Sequence, residues 1–302
     1  MKICVTGGAG YIGAVAVRKL IEIGYEVLIF DDLSTGHQEN IPANIAFIKG
    51  SLLDPTQIAQ ALAGVDAVMH FAGKSLVGES VEKPELYKRV NIEGSRNLFN
   101  EMKLAGISKL IFSSSAATYG EPIAIPINET HPTVPTNPYG ASKLATENLI
   151  KNYGFNSISL RYFNVAGSYE EIREKHQPET HLIPNILKAS KEEPISIFGN
   201  DWPTPDKTCI RDYVHVEDVI DAHIASLEKI TDFESEVINI GSGKGFSIKE
   251  VIQCCEKVLG RSVPVIQKER RLGDPAILLA DISKANKVLN WSPKKNLENM
   301  VN

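Results

Sequence analysis

A chain of 302 residues, 43% apolar and 23% charged, is long enough to bury one large core or two smaller ones, and this composition excludes fibrous and disordered classes. The net charge of −5, without any Lys/Arg cluster, gives no footprint for phosphate backbones or anionic membranes, so neither nucleic acid nor membrane is an expected partner. The four cysteines show no paired metal-ligand spacing and the seven histidines are scattered, so no metal is expected.

Met1 runs directly into the strand-like KICVTG (2–7), with no apolar leader and no later run of about 18 apolar residues, so the cytoplasm is the expected compartment. Next in order come a helix near 11–23, the strands EVLIFD (26–31) and IAFIKG (45–50), a helix near 55–63 and the strand DAVMHFA (66–72). A long helix near 84–105 precedes the strand KLIFSSS (109–115). Apolar strands alternating with amphipathic helices predict a parallel sheet covered on both faces. Asn137 suits an N-cap and Pro138 the first helical position, which predicts a helix over 138–154, followed by the strand SISLRYFN (157–164). Over 165–212 this rhythm gives way to prolines, polar residues and turns. VHVEDVIDAHIASLEKI then returns to a helix and EVINIGSG to a strand. The chain reads as two interleaved lobes, 1–164 plus about 213–241 and 165–212 plus about 242–302.

VTGGAGYIG places Gly7, Gly10 and Gly13 between the first strand and the first helix. Glycines there let the backbone approach a pyrophosphate and present helix N-terminal amides to it. Asp31 ends the next strand 18 positions after Gly13, where a carboxylate suits a ribose 2′-hydroxyl and repels a 2′-phosphate. The combination predicts NAD rather than NADP on a Rossmann-like doubly wound parallel sheet.

In NPYGASKL, Tyr139 and Lys143 stand one helical turn apart on one face. Such a pair also arises by chance, and its context decides: a glycine turn upstream and Ser115 at a strand end. A phenol of pKa about 10 is ionised to only about one part in a thousand at pH 7. Bringing it to about 7 takes roughly 4 kcal/mol, which one cation about 4 Å away supplies at an effective dielectric of about 20. Lys143 is expected to be that cation and Tyr139 a base near neutrality.

These features resemble the extended short-chain dehydrogenases/reductases. GGAGYIG, DDLSTG, HFAGKSLVGESVEKPELY, SSSAATYGEP, PTNPYGASKL, LRYFNVAG, PETHLIP, SIFGNDWPTPDKTCIRDYVHV, NIGSGKGFSIKEVI and RRLGDPA are similar, in order and over nearly the whole chain, to the signatures of the UDP-glucose 4-epimerase family. The resemblance implies an α/β protein with a smaller α/β substrate-binding lobe that interconverts UDP-galactose and UDP-glucose. The sugar is oxidised at C4 with NAD, the 4-keto sugar turns over, and hydride returns to the other face. It also implies a homodimer through the long helices near 84–105 and 138–154.

Carried over by motif, the resemblance assigns catalysis to Tyr139, Lys143 and Ser115, with Ser115 bonding the 4-hydroxyl and relaying its proton. It assigns the cofactor to Gly7, Gly10, Tyr11, Ile12 and Gly13, to Asp31, Asp32, Leu33, Ser34, Thr35 and Gly36, and to Ser51 and Leu52. Phe71, Ala72, Gly73, Lys74, Asn91, Tyr162 and Phe163 complete that set with Tyr139 and Lys143. Asn91 has a second reading as a helix-to-helix hydrogen bond. Arg211 and Arg271 are expected to hold the diphosphate, and Asn164 and Asp274 to meet the uridine diphosphate. Leu182 and Phe198 are expected to line the uridine pocket with His181 beside it, Ser196 is assigned to the substrate as well, and Leu278 sets the room for a 2-acetamido group. His70 and His215 are expected to be mainly structural.

Ser51 replaces the aspartate that the family places on the adenine amine; losing one hydrogen bond to a charged acceptor weakens cofactor retention by about 1.5 to 3 kcal/mol. Two alternatives stand beside the leading reading: a 4-epimerase of UDP-N-acetylglucosamine or another UDP-sugar, and a noncatalytic NAD or nucleotide-sugar sensor. A 4,6-dehydratase needs an acid and a base after the active-site hydroxyl, where this chain has Ala116 and Ala117.

Overall fold

The computed structural model describes residues 1–271 and 274–302. Its first half comprises β1 (Lys2–Thr6), α1 (Tyr11–Glu22), β2 (Glu26–Asp31), β3 (Ala46–Lys49), α2 (Pro55–Ala61), β4 (Ala67–His70), α3 (Val77–Glu82), α4 (Pro84–Tyr87), α5 (Gly94–Leu104), β5 (Lys109–Ser115) and α6 (Pro138–Tyr153). Then come β6 (Asn156–Tyr162), β7 (Asn164–Ala166), α7 (Leu182–Lys188), β8 (Ile195–Phe198), β9 (Ile210–His215), α8 (Val216–Lys229) and β10 (Ser235–Ile240). β11 (Gly245–Ser247), α9 (Ile248–Leu259), β12 (Val265–Lys268), β13 (Ile277–Leu278), α10 (Ser283–Leu289) and α11 (Leu297–Val301) follow.

A seven-stranded sheet runs in the order β10-β6-β5-β4-β1-β2-β3. β1 pairs in parallel with β2 on one side and β4 on the other, and the pairs β2–β3 and β4–β5 are parallel too. The order therefore reverses at β1, and open α/β sheets bind ligands beyond the carboxyl ends of the strands at such a switch point. Both faces are covered, which is why the strands read as continuous apolar runs. On one face Cys4, Phe30, Val68, Leu110 and Phe112 pack with Ile58, Leu98, Phe99, Met102 and Ile150 from α2, α5 and α6. Burying a side chain such as Phe99 contributes about 1.5 to 3 kcal/mol.

Residues 84–104 form one helical run whose pitch changes midway, because a π turn at Lys88–Glu93 separates α4 from α5. An uninterrupted α-helix is predicted there. The Asn91 carbonyl in the wider turn accepts from the Ser95 hydroxyl, four residues on, and from the Thr146 hydroxyl of α6, so a tertiary donor adds to a turn that local pattern does not encode. α6 begins as predicted: Asn137 accepts from the Gly140 amide at 2.8 Å and Pro138 occupies the first position. Gly154 ends the helix at φ 62°.

The chain forms two compact units. The first comprises Met1–Gly120, Thr133–Arg161 and Ile220–Ile238, and the second Glu121–Pro132, Tyr162–Val219 and Asn239–Asn302. In the second unit β9 pairs with β7, β11 and β13. Its core brings Ile183 and Ile186 of α7, Ile197, Tyr213, Val251 and Cys255 of α9, and Met300 of α11 together. A capping box starts α9: Ser247 accepts from the Glu250 amide, and the Glu250 carboxylate accepts from the Ser247 amide. Glu121–Pro132 belongs here because Ile127 bonds to Leu279 and Asp281 through the backbone and its carbonyl also accepts from the Asn239 side chain. Among the described residues no helix is long and apolar enough to cross a membrane.

Candidate active site

The chain leaves β1 through Gly7, whose φ is 73°. A Cβ there would lie 2.6 Å from the Ala72 amide nitrogen, so only glycine permits this approach of two loops. At Gly13 a Cβ would come within 2.1 Å of the Gly7 carbonyl oxygen. Gly10 caps α1 without a side-chain hydrogen bond, and no acidic residue stands in the first turn around Tyr11 and Ile12. A helix start built this way favours an anion, and the residues fit the diphosphate of a dinucleotide.

Asp31, 7% exposed at the end of β2, accepts from the Ala9 amide at 3.0 Å and the Leu33 amide at 2.8 Å. Burial raises its pKa above the ordinary carboxylate value, while those two amides act in the opposite sense. Asp32 accepts from the Ser34 amide, Leu33 takes φ 59°, and exposed Thr35 leads to Gly36, where a Cβ would meet Asp31 Oδ1 at 2.9 Å. The Ser51 hydroxyl accepts from the Leu53 amide at 3.2 Å, and Leu52 packs on Gly94.

After β4, Phe71 lies 4.7 Å from the His223 ring, and the Ala72 amide donates to the Thr6 carbonyl. Gly73 has φ 156°, and Lys74 exchanges two hydrogen bonds with Asn91: its amide donates to Oδ1 at 2.8 Å and its carbonyl accepts from Nδ2 at 3.0 Å. Asn91 Nδ2 also donates to Ser142 Oγ at 2.9 Å. Its side chain thus ties the Gly73–Lys74 loop to α6, which is the helix-to-helix bond considered for it.

Ser115 ends β5, and its hydroxyl caps the turn Ala116–Thr118 by accepting from the Ala117 amide at 3.1 Å. A Cβ on Gly140 would lie 2.3 Å from the Ala117 carbonyl oxygen, so the start of α6 rests directly on that turn. This packing brings the start of α6, with Tyr139, to the turn that Ser115 caps, and the Ser115 side chain acts to lower the pKa of the phenol. Lys143, 5% exposed, donates to the Ser113 carbonyl at 2.7 Å. Its Nζ lies 5.0 Å from the Phe112 ring centroid and 5.9 Å from that of Tyr139.

Lys143 is expected to bring the phenol towards neutrality, and the folded chain differs. Burial raises the Tyr139 pKa, and the opposing contribution comes from Ser115. The reason is that the ammonium is aimed at a carbonyl rather than at the phenol oxygen, and burial brings its own pKa down to about 8.

In the second unit, Arg211 is held by the carbonyls of Ile210 and Pro275 at 2.9 and 2.8 Å, and its NH2 lies 3.7 Å from Asp274 Oδ1. Leu278 pairs with Arg211 in register, and Asn164 pairs with Tyr213 two residues further along β9. Ser196 and Phe198 are alternate residues of β8 and share a face. The Arg271 guanidinium stacks 3.8 Å over Phe198. Leu182 opens α7, and His181 before it donates its Nδ1 proton to Glu179. Tyr162 and Phe163 are buried, and the Phe163 amide donates to the Ile240 carbonyl. The candidate substrate residues thus fall into three groups: one around Arg211, one around Phe198, and His181 with Leu182.

The family model for the NAD dependent epimerase/dehydratase family matches residues 3–241. A UDP-glucose 4-epimerase from Corynebacterium glutamicum is 46% identical over 97% of this chain and 91% of its own. The chain belongs to this family, among its UDP-glucose 4-epimerases. The crystal structure of UDP-glucose 4-epimerase from Brucella ovis in complex with NAD superposes with a TM-score of 0.96 at 39% identity, over 99% of this chain and 96% of that one. That from Bifidobacterium longum in complex with NAD+ and UDP gives 0.93 at 35% identity, over 100% and 96%.

Three residues of this epimerase escape sequence reasoning. Glu147 receives both Arg161 Nε at 2.9 Å and Arg161 NH2 at 2.6 Å, and also the Ser114 hydroxyl. Glu147 lies one turn beyond Lys143 and opposes the fall in its pKa. A charged residue inside the apolar run SISLRYFN is the sequence signal for this pair.

Proposed function

We propose that this protein interconverts UDP-galactose and UDP-glucose by epimerisation at C4 with NAD, and that Ser115, Tyr139 and Lys143 carry the chemistry. The observation that supports it most is the start of α6, which carries Tyr139, packed on the turn that Ser115 caps, in the unit that holds the glycine cradle. NAD, when bound, supplies reversible two-electron oxidation at C4. Tyr139 takes the proton of the 4-hydroxyl and gives it back. Ser115 holds that hydroxyl and passes the proton to the phenol. Lys143, with a pKa of about 8, is mostly protonated at neutral pH and lies 5.9 Å from the ring, where it favours the phenolate as it forms. Ala116 and Ala117 offer neither the acid nor the base of a 4,6-dehydratase.

Recognition of the nucleotide falls to Arg211 and Arg271. Arg211 is preset by two carbonyls and Arg271 is stacked on Phe198, so little rotamer freedom is lost on meeting a diphosphate. Asn164, Asp274, His181, Leu182 and Ser196 complete this set. Leu278, opposite Arg211, is of intermediate size, which favours UDP-N-acetylglucosamine as the second substrate to try. The reading extends to a homodimer through 84–105 and 138–154 and to the cytoplasm.

Incubation with UDP-galactose, with and without added NAD, followed by chromatography of UDP-glucose, tests it. Product without added NAD indicates a retained cofactor. Product only with NAD fits an adenine contact weakened at Ser51, whose hydroxyl serves the Leu53 amide. No product from UDP-galactose or UDP-N-acetylglucosamine, from folded protein, refutes the reading in favour of a sensor.

A further inference from the structure

Glu174, His176 and His181 stand in the segment leading into α7, and one ligand atom from each lies within 4.8 Å of the other two. All three residues are half-buried, and the two histidine rings are 5.5 Å apart. Glu174 Oε1 accepts from the Lys175 and His176 amides at 2.9 and 3.1 Å and is hydrogen-bonded to His176 Nδ1, so the carboxylate is fixed against that ring.

Glu179 supplies a separate observation. Its Oε1 accepts from the His181 amide and from His181 Nδ1, each at 2.8 Å. An ionised carboxylate only accepts, so Nδ1 is the nitrogen that donates to Glu179, which leaves Nε2 as the ring nitrogen available to a metal ion. The Glu179 side chain is 8% exposed, and its Oε2 is buried without a hydrogen-bond donor. A buried carboxylate oxygen left this way is costly unless positive charge lies nearby. A carboxylate behind a ligating histidine, fixing its tautomer and raising its basicity, is the usual outer shell of a zinc site.

We propose that Glu174, His176 and His181 bind one divalent transition-metal ion, zinc in the first instance, with Glu179 orienting His181. Two imidazoles and one carboxylate form a mixed nitrogen and oxygen set that suits zinc, whereas magnesium and calcium take oxygen donors. Three protein ligands leave a fourth position for water or another donor. The competing account, two separate imidazolium–carboxylate pairs, sets two positive rings 5.5 Å apart. An ion held by donors from 174 to 181 also fixes the chain ahead of α7. The inference does not rest on the epimerase reading. His181 is a proposed substrate contact, so turnover is not the readout.

Full-length protein stripped with a chelator is titrated with Zn2+ by calorimetry and with Co2+ by visible absorption. The expected result is one ion per chain, with tetrahedral cobalt bands and no sulfur-to-cobalt charge transfer. Glu174→Gln and His176→Ala each weaken zinc binding about tenfold or more, and Glu179→Gln by about 10- to 100-fold. Saturating Zn2+ raises the Tm of the wild type but not that of Glu174→Gln, which keeps side-chain size and carries the test if His176→Ala does not fold. No stoichiometric binding, binding unchanged in the Glu174 and His176 variants, or charge transfer placing the ion on a cysteine overturns the proposal.

Discussion

Glu147 stands one helical turn beyond Lys143 on α6, and its carboxylate raises the ammonium's pKa against the burial that brings it down to about 8. Glu147→Gln removes that charge while keeping the shape. The Lys143 pKa then falls further, and under the proposal that the proton on Lys143 supports the Tyr139 phenolate, the alkaline limb of kcat against pH is expected to move to lower pH. The variant also leaves Arg161 buried without its partner, which costs about 3 to 5 kcal/mol. Epimerase pH profiles and urea unfolding check the two effects. An unmoved alkaline limb in folded Glu147→Gln protein means that the carboxylate does not act on Lys143.

Tyr139→Phe removes the proposed base and adds no volume. The expected loss in kcat is about 10²- to 10⁴-fold, with the content of bound NAD unchanged. Turnover of UDP-galactose and NAD released on denaturation are measured on the same sample. A rate equal to wild type moves the base elsewhere.

The sequence is most legible where one period dominates. KLIFSSS is β5 residue for residue, and Asn137 with Pro138 announces α6 because capping is a local interaction. The π turn at Lys88–Glu93 is not legible, since Thr146, distant in sequence, stabilises it. The same holds for the Glu121–Pro132 excursion, which is tied by Ile127 to Leu279 and Asp281. Tyr139 and Lys143 can be placed on one face from their spacing, yet the direction of the ammonium depends on the Ser113 carbonyl in another strand. Glu174, His176 and His181 lack the paired spacing of a common zinc motif, and only the folded chain brings one ligand atom of each within 4.8 Å of the others.

Gly13→Ala tests the cradle. The added methyl would sit 2.1 Å from the Gly7 carbonyl oxygen, which is backbone and cannot rotate away. The loop and α1 must separate, at a cost of about 1 to 3 kcal/mol, and the amides presented to a diphosphate move with them. The expected outcome is a lower Tm together with loss of bound NAD. Retention of NAD at wild-type level would show that the diphosphate does not depend on this contact.

His70 is 1% exposed between Thr6 Oγ1, 2.7 Å from Nδ1, and Ser95 Oγ, 2.9 Å from Nε2. Burial, and secondarily the charge of Lys143, push its pKa down from 6.5 to about 3. Between those values the unfolded chain binds a proton that the folded chain does not, so the stability is fully present above about pH 6.5 and is lost as pH falls towards 3. At pH 5 the loss from this residue amounts to about 2 kcal/mol. His70→Gln keeps polar partners for Thr6 and Ser95 but takes up no proton, so its stability changes less between pH 7 and pH 5. Urea unfolding of both proteins at the two pH values measures the difference. An equal pH dependence would place the proton uptake on other groups.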